Sequence, residues 1–356
     1  MINKLILTRK LYIYDDVKYT LITKLVHKDC EFIECIFWTC ELFYSDFIDE
    51  LCDILFETYY NFYAIKYPKY ESKINIELDK KDIKSILYVV NLLFHTPNIS
   101  TEVFKIYMKN PKSLKSIYVT KHKNFSFLKS LDVDKEYYKF IASIHKNNFE
   151  NIIFYIKNNT FKDTDKLYDS VIKYYSSIKN MKLLNKDINK IFYSNKQHII
   201  LSLICYLNKS ENIINKRKIF RKFDISTYSD LINKFKVISG NNNYRILENN
   251  ALYYISENIG CFDLSRFYFK NIKNEIRYHW DYHCYNSKKW KIRLDKYNFK
   301  INHNKKTLEF KNICEEEEFY EKYDYEFDEQ TKELQDCIIP EIKKSNLVDW
   351  LKKIKN

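Results

Sequence analysis

The stretch that decides the fold runs from Leu264 to Lys296 and reads LSRFYFKNIKNEIRYHWDYHCYNSKKWKIRLDK. At about 100° per residue, Phe269, Ile272, Ile276, Trp280, His283, Ser287, Trp290 and Leu294 fall within a sector of about 80°. This spacing predicts one long helix with a core-facing stripe. Glu275, His279 and His283 follow one another at i, i+4 and i+8, which sets a carboxylate and two imidazoles on successive turns of one side. Two readings are open. The three could ligate a divalent metal together with Asp281 or a distant carboxylate, leaving a position for water. Alternatively they form a structural group, with Glu275 hydrogen-bonded to His279. Each step drifts about 40°, so His283 lies inside the apolar stripe and Glu275 beyond its edge, which favours the structural group.

Beyond this stretch the period changes from 3.6 to 2. Phe299, Ile301, Leu308 and Phe310 alternate with polar residues across an Asn-His-Asn-Lys-Lys turn, the pattern of a β-hairpin. Asn312 and Glu315 match a capping box at the start of an acidic helix, Glu315 to Tyr323. Eleven acidic residues against two lysines lie between Glu315 and Asp336, a run that reads as a solvated face, a metal ligand source or a dock for a basic partner. Ser345 caps a last amphipathic helix carrying Leu347, Trp350, Leu351 and Ile354.

Upstream, Leu247 to Asn258 leads into the long helix, with Gly260 as a C-terminal stop. Ser239 to Tyr244, with Gly240 and three successive asparagines, is the strongest loop signal and marks a domain boundary. The residues before it read as helices. Asp15 and Asp16 are N-cap candidates for a first helix, a second runs through Phe32, Ile36, Phe37, Cys40 and Phe43, and Ser45-Asp46 caps a third that ends before Pro68. Met1 to Tyr14 has two short apolar runs, either paired edge strands or an extended arm. Glu71 to Lys81 reads as a polar connection, and Asp82 to Phe94 as a buried helix. Further helices are expected at Lys135–His145, Phe149–Asn158, Asp165–Lys179, Ile199–Leu207 and Thr227–Val237. The expected architecture is mainly α: stacked antiparallel helical hairpins over residues 1–238, then a C-terminal α+β unit with one β-hairpin over residues 239–356.

One segment changes the charge. From Lys105 to Lys129 there are seven lysines and no acidic residue: Lys105, Lys109, Lys112, Lys115, Lys121, Lys123 and Lys129. Tyr107, Tyr118, Phe125 and Phe127 interleave with them. Lysines track phosphates and aromatics stack on exposed bases, so Lys105, Lys109, Lys112, Lys115, Tyr118, Lys121, Lys123 and Phe125 form the nucleic-acid candidate. The competing reading is a solvated lysine face with its aromatics turned into the core.

Composition limits the remaining choices. The 356 residues carry a formal net charge of +13, which suits a polyanion or an anionic surface. Only seven of the 60 basic residues are Arg, and Ala, Gly and Pro together number nine, so an AT-rich gene accounts for part of that charge. With Gly only at Gly240 and Gly260, neither a P-loop nor a dinucleotide-binding turn is present, so no nucleotide is expected. No apolar run approaches the roughly 20 residues that span a bilayer, and Leu5 to Leu7 is too short for a signal peptide. A soluble intracellular protein is expected. Nine cysteines read as reduced core residues, and Cys30, Cys35 and Cys40 point to three faces if they share one helix.

Two resemblances add to this. Lys24, Lys28, Phe37 and Trp38 stand as in a lysine-bearing turn leading to an aromatic-Trp helix, and residues 15–66 thereby resemble the helical collar domain of clamp-loader-class ATPases. Ser45-Asp46 replaces that family's Gly-Glu-Asp turn, and no ATPase module accompanies the match. It implies an oligomerising helical module. The second resemblance rests on Trp280-Asp281-Tyr282, Ser287, Trp290 and Arg293, then Glu318-Phe319-Tyr320 and Asp328-Glu329-Gln330, and reaches back to Trp38 and Tyr59-Tyr60. Here the chain resembles uncharacterised proteins of nucleocytoplasmic large DNA viruses, which implies a viral protein of the host cytoplasm, the viral factory or the virion. The expected function is a non-enzymatic binding or scaffold factor, without cofactor, that meets nucleic acid, a nucleic-acid-processing complex or other viral proteins. The alternatives are a metal-dependent phosphodiesterase or nuclease using Glu275, His279 and His283, and a structural protein of the virion or host interface.

Overall fold

A computed structural model of the chain describes residues 5–115, 123–158, 160–179, 188–191, 193–208, 224–236, 252–266, 272–323 and 342–354. Helices dominate, as the periodicity predicts. In chain order they are α1 (Tyr14–His27), α2 (Phe32–Tyr44), α3 (Ile48–Phe62), α4 (Tyr70–Asp79), α5 (Ile83–His95), α6 (Glu102–Tyr107), α7 (Lys135–His145), α8 (Phe149–Lys157), α9 (Thr164–Ile178), α10 (Lys196–Asn208) and α11 (Ser229–Lys236). Then come β1 (Tyr253–Ser256), α12 (Ile272–Cys284), α13 (Lys288–Leu294), the hairpin β2 (Phe299–Asn302) and β3 (Thr307–Phe310), α14 (Ile313–Tyr323), β4 (Ile342–Ser345) and α15 (Leu347–Lys352). The hairpin pairs Phe299 with Phe310 and Asn302 with Thr307.

The chain packs as two compact units. The first is Met1–Ile54, Lys81–His95 and Arg221–Lys355; the second is Leu55–Lys80 with Thr96–Phe220. This grouping is discontinuous in sequence, whereas a single cut between residues 238 and 239 is what the loop signal suggests. Residues 237–251 lie outside the described residues.

In the first unit α1 is central. Its residues are buried on every side, from Asp15 to His27, apart from Lys18. Its N-cap is Ile13, so Asp15 and Asp16 sit inside the first turn, where their charge suits the positive end of the helix dipole. They also reach across: Asp15 Oδ2 accepts from the Ser265 N–H at 2.8 Å, and Asp16 Oδ2 accepts from Tyr253 Oη at 3.2 Å and from the Arg266 guanidinium. Before α1 the arm turns back on itself with an antiparallel bridge between Leu7 and Ile13. Leu5, Leu7, Leu11 and Ile13 enter one core with Ile276, Trp280, Cys284, Trp290, Leu294, Leu308 and Phe319. Leu7 donates its N–H to Ser287 Oγ at 2.7 Å, and Trp290 Nε1 donates to the Thr8 carbonyl at 3.0 Å. Arg9 pairs with buried Glu41 and closes the end of α11 through the carbonyls of Phe235 and Lys236. On the other side of α1, β1 runs parallel to β4. There α15 inserts Trp350, whose Nε1 donates to Thr23 Oγ1 at 2.9 Å.

Four expectations are corrected here. The long helix is interrupted: Cys284 ends α12, Ser287 is extended (φ −95°, ψ 134°), and α13 restarts behind it. The buried stripe nevertheless continues through Ile276, Trp280, His283, Ser287, Trp290 and Leu294. Tyr253 to Ser256 form a strand where a lead-in to the helix is expected, and Gly260, at φ 94°, precedes a 3-10 turn. Residues 71–79 are helical, because Tyr70, Ile74 and Leu78 place a buried stripe inside an otherwise polar run. The third helix is not capped by Ser45-Asp46: Ser45 Oγ accepts from the Arg9 N–H and donates to the Glu41 carbonyl.

The second unit holds the later turns of α3 with α4 and α6 to α10. Its caps are local and regular. Asp134, Asn148 and Asp163 each accept a backbone N–H of the first turn of α7, α8 and α9. At its core lies His198, fully buried, with Nε2 donating to Asn61 Oδ1 at 3.0 Å and Nδ1 facing Tyr193 Oη at 3.0 Å. Tyr107 stacks on the same imidazole, 4.7 Å between ring centres.

Candidate functional site

Two groups of residues stand out in the sequence, one in each unit. The first lies on α12. Its backbone leaves helical geometry at His279 (φ −137°, ψ 21°). In a straight helix residues eight apart are separated by about 12 Å along the axis, too far for a glutamate and a histidine on one face to meet. The bend brings them together: His283 Nε2 donates to Glu275 Oε2 at 3.1 Å. The other carboxylate oxygen takes the Lys306 ammonium at 2.5 Å. His279 turns elsewhere and donates through Nδ1 to the Lys306 carbonyl at 3.0 Å. Asp281 is buried behind the bend, where Oδ2 accepts from the Leu308 N–H at 3.3 Å and from Tyr320 Oη at 3.2 Å.

The electrostatics follow from those contacts. Partial burial pushes the Glu275 carboxyl up, but Lys306 and His283 outweigh it and hold the group below its ordinary value. Burial pushes His283 down against the pull of Glu275, so the imidazole is a neutral donor. The charge pair is therefore Glu275 with Lys306. Burial raises the Asp281 carboxyl, partly offset by the N–H groups of Tyr282 and Leu308 and by Tyr320. Among the described residues no three His, Cys, Asp or Glu side chains are placed to hold a metal ion. Through their contacts with one another and with Lys306, Glu275, His279 and His283 form a brace that ties the bend of α12 to the hairpin turn. The expected Glu275 to His279 bond is replaced by one from Glu275 to His283. The acidic run past Tyr323 lies outside the described residues.

Residues that carry the viral resemblance serve the same packing. Ser287 and Trp290 hold the N-terminal arm. Trp280, Trp290, Phe319 and Tyr320 form one aromatic group, and the Arg293 guanidinium lies over Trp290 at 4.2 Å and Tyr323 at 4.9 Å.

The second group is the lysine segment. Lys105, Lys109, Lys112 and Lys115 are all exposed. Asn151 on α8 clamps the backbone of Lys115 from both sides, accepting its N–H at 2.9 Å and donating to its carbonyl at 2.8 Å. The Lys115 ammonium meets Glu150 at 2.5 Å, which holds that carboxyl below its ordinary value. Two of the aromatics pack against the unit itself. Phe125 is buried, with its ring 5.8 Å from that of His145, so the expectation that it stacks on a base is corrected. Tyr107 lies between His198 and the Lys157 ammonium, which sits 4.8 Å from its ring centre. Tyr118 and Lys121 lie outside the described residues, as does the side chain of Lys123.

A third group escapes the sequence reading. Lys24, fully buried on α1, sets its ammonium 3.2 Å from Glu34, 3.5 Å from Asp29 and 5.0 Å from the Tyr254 ring centre. Glu34 also accepts the Leu252 N–H at 2.8 Å, and Tyr254 Oη donates to Asp29 at 3.3 Å. Cys30 and Cys35 border this group. Lys24, Asp29 and Glu34 are visible in the sequence, but the contacts from Leu252 and Tyr254 come from a strand segment more than 200 residues further on.

Comparison of the chain with known protein families, curated proteins and solved structures finds no match.

Proposed function

We propose that the chain is a non-enzymatic binding protein of a large DNA virus, contacting nucleic acid through phosphates along Lys105 to Lys115. One observation carries this: four exposed lysines follow one another on a segment whose backbone is clamped by Asn151, while Phe125 is buried and Tyr107 is stacked on His198. Such a surface offers charge without base stacking. It suits binding that is indifferent to base sequence and sensitive to salt. The brace on α12 supports the non-enzymatic reading, because both Glu275 oxygens are engaged by neighbouring side chains.

Fluorescence anisotropy of labelled duplex and single-stranded DNA across a salt series tests it, with Lys105, Lys109 and Lys112 changed together to Gln. The wild-type log affinity should fall linearly with log salt, and the variant should lose about 0.9 of slope per lost phosphate contact on duplex, up to about 2.7. No binding, or a slope the variant does not change, overturns the proposal. Stoichiometric bound metal would point instead to a hydrolase, and salt-insensitive capture of a viral protein to a structural role.

A further inference from the structure

Cys30 and Cys35 occupy a special relation at the start of α2. The helix begins at Phe32, and its N-cap is Glu31, extended at φ −75° and ψ 152°. Cys30 is therefore the residue before the cap, and Cys35 is the fourth residue of the helix. Side chains at these two positions often pack against each other, an arrangement usually filled by two apolar residues. The 140° spacing expected of two helical cysteines does not apply, because Cys30 lies outside the helix. The two thiols lie within electrostatic reach of one another.

Their surroundings differ. Cys35 is buried, and Cys30 is half-buried at the surface end of the pair. Burial pushes the Cys35 thiol well up, as do Cys30 and Glu34, while the Lys24 ammonium pulls the other way. Asp29 and Tyr254 complete the ring of titratable groups around them. An ammonium fixed beside a thiol pair stabilises whichever sulfur carries negative charge. The link between α1 and α2 is irregular, with Lys28 in the left-handed region at φ 55°, so Cys30 can move toward Cys35 without disturbing a helix.

We propose that Cys30 and Cys35 form a reversible dithiol/disulfide couple that exchanges with low-molecular-weight disulfides. Cys30, the accessible partner, loses its proton to solvent and attacks one sulfur of the small disulfide. That S–S bond breaks, one half is captured on Cys30, and the other half leaves as a thiolate and is protonated. Cys35 then gives up its proton and attacks Cys30 Sγ. The bond to the captured half breaks, and this second half leaves with the proton. Two protein thiols are oxidised to one disulfide, and one small disulfide is reduced to two thiols.

The test equilibrates the full chain with reduced and oxidised glutathione at graded ratios, then acid-quenches, alkylates and digests at acidic and aromatic residues for mass spectrometry. The Cys30–Cys35 link should rise at least tenfold from the reducing to the oxidising end, while buried Cys40 and Cys52 remain alkylatable after unfolding. In Cys35→Ser a glutathione should remain on Cys30. The wild-type map decides the matter even if that variant fails to fold. Stable glutathione on wild-type Cys30, or two separately alkylated cysteines at every ratio, overturns the proposal.

Discussion

His198 shows how one side chain sets the acid response of the second unit. Burial pushes its imidazole down to about 3, because a charged ring would replace a neutral one among Asn61, Tyr193 and Tyr107. The unfolded chain takes up this proton near pH 6.5 and the folded chain only near 3, so the contribution of His198 is full above 6.5 and falls as pH drops through that window. The slope is at most about 1.4 kcal/mol per pH unit. His27, held at about 4 by burial while it donates to the Trp350 carbonyl, acts with the same sign in the first unit. Asp16 there acts with the opposite sign: burial raises it to about 6 against the pull of Arg266, and its contribution is lost as pH rises from 3.8 through 6. We expect His198→Gln, which keeps a donor toward Asn61 and cannot titrate, to remove about 2 kcal/mol of the stability lost between pH 7 and pH 5. Urea unfolding followed by hydrogen exchange of α10 amides measures this; an unchanged pH slope would sink the assignment.

At the scale of elements, the decisive contact is the one between the N-terminal arm and the break after α12. Ser287 Oγ is buried and takes the Leu7 N–H. Ser287→Ala leaves that donor without an acceptor inside the core, so we expect a loss of about 1–3 kcal/mol in urea unfolding and faster exchange of the Leu7 amide. Equal stability of the variant would show that the arm is held by its apolar contacts alone. The same residue explains what could be read in advance. Helices with local caps were legible almost to the residue: Lys135 to His145 is both the expected and the observed α7, because Asp134 and the apolar period belong to one short window. The break at Asn286-Ser287 was hidden because the buried stripe continues across it. The strand Tyr253–Ser256 was hidden because its partner lies about 90 residues away, and local pattern carries no record of such pairing. For the candidate site, lysine exposure was legible from charge. The inward turn of Phe125 was not, since an aromatic beside lysines reads alike whether it faces solvent or core. The meeting of Glu275 with His283 depends on a bend that an ideal helix lacks.

At the scale of the molecule, the first unit is assembled from both ends of the chain. Its core combines Leu5, Leu7, Leu11 and Ile13 with residues 276 to 319. A fragment of residues 239–356 alone would expose Trp280, Trp290 and Phe319 where the arm now covers them. We expect that fragment to lack a cooperative thermal transition and near-ultraviolet dichroism, and the full chain to show both. A fragment that unfolds cooperatively by itself would mean that the arm is dispensable.

The shared core also orders events in time. Leu7 and Leu11 leave the ribosome about 300 residues ahead of Phe319, which at usual rates of synthesis is roughly 15–60 s. The second unit, Leu55–Lys80 with Thr96–Phe220, is complete well within that interval, while the first two helices and the arm wait for their partners. During translation the arm is made long before its partners and is among the last segments to find its place, and a chaperone that binds apolar segments has long access there.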